Sequence, residues 1–587
     1  MIIEGRDLLD GSELVADVVV VGAGPAGITV ALELGRRGVD VILVESGKRG
    51  YDPQVQQLSD AAHWSEDLHA PMSLAVRRQI GGTSTVWGGR CVPYDPVDFR
   101  ERDFVPNSRW PVTYGDLEPY FQRASDWMQT GRAAFDLREL PHLTKELVPG
   151  LTDDGVTTSS LERWSLPTDF GKVYYEEIRR SPNVRLVTGF VCTKVLTRMG
   201  SDRADGISCK RLGGGSIEIR AHAVVVSGGG LESTRLLMES EAPSGGELGN
   251  HSGHLGRWYM GHLEGVIARL EFNTDPRRTI YDYEQDRDGV YVRRRFTFTE
   301  RFQVEHRLPN ISGWLANPEL ADASHGDARL SFTYLALTSP LGPLLAPPAQ
   351  RLSLSGTRVP GAPYGVTEIS PPGAHLRNVL RHPLDAASFI AGFGSKRFLA
   401  RRRRAPGFFV YNPHNVYRLQ YHGEHLPAWA SRVTLAREVD AVGMRRLEID
   451  IRFSDADFEG VVQAHRYWEE HLRRTGVGRL RFLRADPLED VRSRSGGGFH
   501  QVGTTRMADD PKNGVVDKNL RIFGVDNVYV ASSSTFVTSG QANSTFMVVA
   551  FAVRLADHLV GGLRRASALP RGSRPQVARL AEPPSVR

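Results

Sequence analysis

The chain has 587 residues, 40% of them hydrophobic and 24% charged, and its 73 basic and 68 acidic residues leave a net charge of only +5. That balance excludes nucleic-acid binding as the main role and describes a globular chain long enough for two structural domains. Three cysteines, Cys91, Cys192 and Cys209, with no CxxC pair, argue against a disulfide framework and a zinc site, and fit a reducing, cytoplasmic setting.

The N-terminus, "MIIEGRDLLDGSELVADVVVVGAG", carries acids where a secretory signal carries positive charge. Its apolar run is shorter than the ~20 residues that span a bilayer, and no other segment reads as long enough. Val18 to Val21 is a β-branched run of the kind buried on both faces of a parallel sheet. A glycine turn follows, then a helix with Pro25 in its first turn, then a strand from Val39 to Val44 that ends at Glu45. A second strand–glycine–helix unit is read in "HAVVVSGGGLESTRLL", His222 to Leu237, and a third in Asp526 to Leu559, where a strand at Val528–Val530 leads into a long apolar helix.

Three such units, from both ends and the middle of the chain, predict an α/β fold. A Rossmann-like, discontinuous cofactor domain (1–130, 183–263 and 495–564) is joined by a connecting segment (131–182) to a substrate domain on a largely antiparallel sheet (264–494). Alternation in "GVYVRRRFTFT" and "ARLSFTYLAL" predicts strands of that second sheet. The proline-rich interval Ser339 to Pro383 reads as a long loop or lid, and the basic run Lys396 to Gly407 as a solvated or oligomer-facing helix end, with membrane-surface contact second. The tail, 565–587, reads as mobile.

Gly22, Gly24 and Gly27 form G-x-G-x-x-G between a strand and a helix, with Glu45 placed 23 residues after Gly22 to meet ribose hydroxyls. This unit alone does not separate NAD from FAD. "GGTSTVWGGR", Gly81 to Arg90, adds a second glycine-rich loop, as does the C-terminal unit. Convergence of such loops from distant regions suits a ligand longer than NAD, and close approach of an isoalloxazine ring accounts for the side chains missing on either side of Trp87.

Together, "GAGPAG", "GGTSTVWGG", "SGGGLESTRLL", "LGRWYMGH", "FHQVGTTRM" and "SGQANSTFMVVAFA" resemble the glucose–methanol–choline (GMC) oxidoreductases, which bind FAD and oxidise alcohols. The segment Ser431 to Ser454 is also similar, and the rest of the middle much less so. The branch with pyranose oxidase is the most similar, but its flavin-linking histidine is replaced here by Val86, so the resemblance implies non-covalent FAD. It places the cofactor against Gly22, Gly24, Ala26, Gly27, Glu45 and Ser46. It adds Gly82, Thr83, Ser84, Val86, Trp87, Gly88 and Gly89, then Val191, Ser227, Gly228 and Gly229, and finally Ala531, Ser532, Asn543, Ser544 and Thr545.

The resemblance also supplies a catalytic pair: His500 as the base for the hydroxyl proton, with hydride going to flavin N5, and Asn543 orienting the substrate oxygen. Asn543 also suits a helix N-cap. His254 and His262 read as structural, His414 to His425 as a loop without metal-ligand spacing, and Ser84 as no nucleophile because no G-x-S-x-G surrounds it. No metal is expected. The expected reaction converts a secondary hydroxyl of a sugar or glycoside to a ketone, with O2 or a quinone as electron acceptor and homo-oligomers allowed. A sterol or other non-sugar alcohol, a non-redox FAD lyase and a plain NAD dehydrogenase are the alternatives.

Overall fold

A computed structural model describes every residue except 144, 152–154, 166–167, 363–368, 402 and 569–587. The β-branched run lies at the end of a longer strand, Ser12–Val21, flanked in parallel by Val41–Glu45 and Ser216–Val226. Val528–Val530 then pairs in parallel with Val224 to Val226. One sheet therefore gathers strands from three distant parts of the chain. Val18, Val19, Val20 and Val224 to Val226 are fully buried, as a strand covered on both faces requires. The parallel strands end together at Val21, Glu45, Val226 and Val530, so their glycine-rich turns open at one carboxyl edge.

Three helices start at that edge: Pro25–Gly35, Gly230–Glu239 and Thr545–Ala568. The last corrects the expectation that no segment is long enough for a bilayer. Thr545–Leu563 passes by length and by a mean hydropathy of 1.6, but 61% of it is buried inside the protein. Phe546, Val549, Phe551 and Val553 pack into the same core as the sheet, which accounts for its apolar character.

The second sheet is antiparallel and six-stranded, in the order Gly478–Phe482, His262–Phe272, Val416–Glu424, Ile311–Ala316, Phe296–Phe298 and Val156–Thr157. Alternation divides its faces. Leu263, Ile267, Leu419, Tyr421, Ile311 and Leu315 share a core with Phe458, Val461 and Trp468 of the helix Asp455–Thr475. The opposite register positions, His262, Glu264, Gln420, His422, Ser312 and Trp314, form a second face rich in polar groups.

Several expectations are corrected. "ARLSFTYLAL" belongs to a helix, Ala328–Thr338, because Asp327 caps it by accepting from the backbone N–H of Arg329 and Leu330. Ser339 to Pro383 is not one long loop, since Gly342–Leu345, Pro348–Leu354 and Pro372–Arg381 are helical with prolines in their first turns, where the missing N–H costs nothing. His414 to His425 is mostly the strand Val416–Glu424 rather than a loop. "GVYVRRRFTFT" does form strands, Tyr291–Arg294 and Phe296–Phe298. The last helix runs on through 565–568, and the rest of the expected tail lies outside the described residues. All three cysteines are free and buried.

Candidate active site

A cavity of about 210 Å³ opens at the carboxyl edge of the parallel sheet. Gly22, Gly24 and Ala26 line it from the first turn, and Ser227, Gly228 and Gly229 from the second. Ala531, Ser532, Ser544 and Thr545 close it from the C-terminal unit, and Glu45, Ser46, Gly82, Thr83 and Val191 from the sides. Gly27 does not line it. A Cβ there would sit 1.9 Å from the Gly22 carbonyl, so this glycine lets helix and strand close together. A Cβ on Gly24 or Gly229 would meet nothing within 4 Å, which leaves backbone open to a ligand.

Both carboxylate oxygens of buried Glu45 accept backbone N–H groups, Oε2 from Ala23 (2.9 Å) and Oε1 from Gly47 (2.8 Å). The acid is thereby held at the cavity wall with lone pairs left for ribose hydroxyls. Bare glycine backbone, three helix N-termini and a fixed acid fit a dinucleotide whose pyrophosphate lies at the N-termini. Among the wall residues that sequence reasoning missed are Arg78, which lies in no glycine motif, and Glu232, which follows the second glycine turn; the two pair at 2.6 Å.

The loop Gly81 to Arg90 is only partly explained by a ligand. A Cβ on Gly81 would lie 2.6 Å from the Gly171 backbone nitrogen, and one on Gly82 3.1 Å from the Cα of Gly24, so both glycines admit protein backbone. Ser84 donates to the Gly81 carbonyl (2.6 Å) and accepts from the Phe170 N–H (3.1 Å), while Trp87 Nε1 donates to the Thr168 carbonyl (2.9 Å). These two side chains hold the loop itself. A Cβ on Gly88 would meet nothing within 4 Å, and Gly89 adopts φ 76°. Val86 follows the short helical turn Gly82–Thr85. Ser84, Val86, Trp87, Gly88 and Gly89 are not among the lining residues of the cavity.

His500 lines the cavity and meets the polar face of the second sheet. Its Nδ1 lies 2.9 Å from Nδ1 of His262, whose Nε2 is 3.1 Å from the Ser539 carbonyl. A carbonyl only accepts, so His262 carries its proton on Nε2 and its Nδ1 is bare. His500 must then donate from Nδ1, which leaves its Nε2 unprotonated. Burial first, then the charge of His422, lowers the His500 pKa to about 4, so the ring is neutral at pH 7. His262 is pushed well below its ordinary value by burial, then by His422 and His500.

His422 faces oxygen on both nitrogens: the Gln541 carbonyl at Nδ1, and Glu264 Oε1 at 2.7 Å from Nε2. Burial opposes ionisation of Glu264, yet the charge of His422 and its hydrogen bond, with His500 and Arg90 beyond, hold the carboxyl below its usual range. His262 was read as structural and His422 as a loop residue; the register of two adjacent strands brings both to His500. The ring nitrogens of the three histidines lie within 4.8 Å of one another, a spacing that also admits a metal ion. The hydrogen bond between His262 and His500 already employs the facing nitrogens. His254 stays structural, accepting from Trp258 Nε1 at 2.9 Å.

Asn543 precedes the last helix, but its side-chain carbonyl does not serve as a cap: Oδ1 accepts from Arg90 Nη1 at 3.0 Å. Guanidinium only donates, so the contact fixes the amide orientation and leaves NH2 as the free end. Arg90 and Arg293 both bind the fully buried Glu162, and both guanidiniums lie 4.5 Å from the Trp314 ring centroid.

Trp314, Arg293 and Gln420 also form part of the wall of a second, larger cavity of about 670 Å³. Its other walls are mostly apolar, with Leu320, Phe332, Phe389, Phe393 and Phe408 prominent. Trp314 is one contact from Arg90 and two from Asn543, and Gln420 lies two residues from His422 on the same strand face.

A dinucleotide cavity, a half-buried histidine at its end and a separate pocket beyond fit an oxidoreductase that holds a dinucleotide cofactor. Residues 170–262 match the N-terminal domain of the GMC oxidoreductases and 427–552 their C-terminal domain, and residues 15–54 match an FAD-binding domain. The chain is an enzyme of the FAD-dependent alcohol-oxidising kind, and its cofactor is FAD. It is 23% identical to 2-methyl-1,2-propanediol dehydrogenase of Mycolicibacterium austroafricanum, over 92% of this chain and 95% of that one. It is also 23% identical to paromamine 6'-oxidase of Streptomyces fradiae, over 95% and 94% of the two chains. Pyridoxine 4-oxidase of Mesorbium loti shares the fold with a TM-score of 0.51 at 18% identity, covering 93% of this chain and 99% of that one.

Proposed function

We propose that this protein oxidises a secondary hydroxyl on the sugar part of a glycoside whose remaining part is bulky and apolar, giving a ketone. When bound, without a covalent link because Val86 offers no nucleophile, FAD supplies the acceptor for the carbinol hydride. His500 takes the hydroxyl proton on Nε2, and His262 keeps that nitrogen bare by accepting from Nδ1. The Asn543 amide, turned by Arg90, donates to the substrate oxygen. The observation that carries the proposal is the hydrogen bond between His262 and His500, which assigns the proton-accepting atom.

The substrate class rests on two supports. Two similar proteins are named as oxidases of paromamine and 6'''-hydroxyparomomycin C, at 23% and 24% identity. The large cavity has Trp314 and Gln420 on the sheet face that carries His422, Arg293 against Trp314, and a mostly apolar wall elsewhere, which suits a polar head and an apolar body. The lining of Phe389, Phe393 and Phe408 favours one second reading, an apolar alcohol without a sugar. Anaerobic bleaching of the flavin band tests both. Bleaching by dodecyl glycosides at far lower concentration than by free sugars supports the glycoside. Bleaching by long-chain or polycyclic alcohols alone supports the second reading, and bleaching by none of them refutes both.

A further inference from the structure

The large apolar cavity has walls that are themselves exposed. Leu341, Ile390 and Phe398 line it and are 63%, 44% and 46% exposed, so its mouth opens among uncovered apolar side chains. The surrounding surface is alike. Nine of the eighteen exposed large hydrophobic side chains among the described residues fall within 341–399, a tenth of the chain. Such concentration marks a contact surface, since single exposed apolar residues are normally scattered.

The helices there explain how the patch is built. In Pro372–Arg381, His375 and Asn378 are buried against Ser331 of the neighbouring helix. The other side presents Leu376 and Leu380, one turn apart, with Arg377 and Arg381 beside them, all exposed. In Pro383–Gly394, Phe389 and Phe393 line the cavity while Leu384, Ala387 and Ala391 face outward. Leu384 is 80% exposed and Leu399, just after this helix, 78%. One helix thus lines the cavity with one face and presents an apolar surface with the other.

Charge selects the occupant. Residues 339–407 hold ten arginine or lysine residues and two acids, an excess larger than the +5 of the whole chain. The rest of the protein is therefore acidic overall, and the basic excess is confined to the apolar patch. Exposed Lys396, Arg401 and Arg404 follow Phe398 and Leu399 or flank them. Exposed apolar side chains with exposed cations beside them in the chain, as Leu376 and Leu380 have Arg377 and Arg381, are what the interface of an anionic lipid bilayer accepts: acyl boundary for the leucines, phosphate headgroups for the arginines.

We infer that the apolar and basic surface around Leu341, Leu376, Leu380, Leu384, Phe398, Arg401 and Arg404 docks on an anionic membrane, and that the large cavity receives its amphiphilic substrate from that membrane. The second clause rests on the function proposed above; the first does not. Docking at this patch sets the mouth at Leu341, Ile390 and Phe398 against the acyl boundary, so an apolar body passes from lipid into Phe389 and Phe393 without crossing water.

The holoenzyme is tested by co-sedimentation with vesicles of phosphatidylcholine alone and with a third phosphatidylglycerol, at low and high salt, with no substrate present. The expected result is binding to the anionic vesicles only, weakened at least tenfold by high salt. Leu380→Glu with Leu384→Glu, and separately Arg401→Ala with Arg404→Ala, should each lower it at least tenfold. All four residues lie outside the cavity lining, so turnover of a soluble short-chain glycoside stays at the wild-type level and reports correct folding. Absence of anionic-vesicle binding by wild type overturns the inference. So does equal binding by both variants, or a wild-type dimer that Leu384→Glu converts to a monomer, which would assign the patch to a second copy. If vesicles bind but no glycoside bleaches the flavin, docking stands and the substrate reading falls.

Discussion

The two cavities are built on opposite principles. The nucleotide cavity is made by absence: glycines at 24 and 229 expose backbone, Gly22 lets the Ser227 carbonyl approach, and helix N-termini supply the polarity. The large cavity is made by presence: aromatic and aliphatic side chains from several helices and strands fill most of its wall, with polar groups such as Arg293, Asn317, Glu319, Gln350, Arg397 and Gln420 set among them. A backbone site recognises a shape and charge common to many proteins. A side-chain site is specific to its ligand and can be changed one residue at a time. Between them stand His500 and its partners on the polar face of the antiparallel sheet.

The sharpest break of this comparison removes the group between the cavities. His500→Ala should slow flavin reduction by ~10²–10⁴-fold, the range for loss of a general base, while FAD stays bound and the visible spectrum is unchanged. Loss of FAD from this variant would move His500 from the chemistry to the cofactor cradle. Phe393→Ala acts on the side-chain cavity alone. It should raise KM for a long-chain glycoside by roughly ten- to a hundredfold, as removal of a buried aromatic contact implies, and leave free-sugar kinetics unchanged. An equal effect on both substrates would show that the cavity does not hold the apolar body.

A smaller change tests the link between the histidines. His262→Leu frees Nδ1 of His500, so the ring is no longer held in one tautomer. Flavin reduction should fall by about tenfold, the lower end for loss of an orienting partner. Wild-type rates would dismiss the assignment of Nε2. The pH profile should change least. In the proposed reaction neutral His500 is the active form, and its pKa is lowered to about 4, chiefly by burial, so flavin reduction should be flat from pH 8 to 5 and fall as pH drops through about 4. The same depression has a stability sign. An unfolded histidine titrates near ~6.5, so below that pH the unfolded state binds the proton first, and stability falls from about 6.5 down to about 4. His69 and His465, also lowered to about 4 mainly by burial, add to that loss. A melting temperature constant between pH 7 and 4.5 would contradict it.

How far the sequence carried depended on how local each cause was. The turns at Gly22 and Gly228 were legible because the strand, the glycines and the helix that make them are consecutive. Ala328–Thr338 was misread as strand because its alternation was weighed without its cap, and Asp327 decides the matter through two backbone hydrogen bonds. The helix at Thr545 was not recognised as long enough for a bilayer, and only its burial assigns it to the core.

By itself, then, the sequence determined the dinucleotide-binding unit, because strand, glycines and helix are consecutive, and the motifs that carry the family resemblance, which in turn singled out His500 as the candidate base. Only the tertiary structure decided which partners the base has. His262 and His422 lie far from residue 500 in the chain, and they reach it because two antiparallel strands share a register and turn the same face inward. It also decided that the described part of the proline-rich middle holds helices, of which Pro383–Gly394 has an inner face on a cavity and an outer face left bare. Spacing along a chain reports periodicity, whereas burial of one helix face depends on what the fold packs against it.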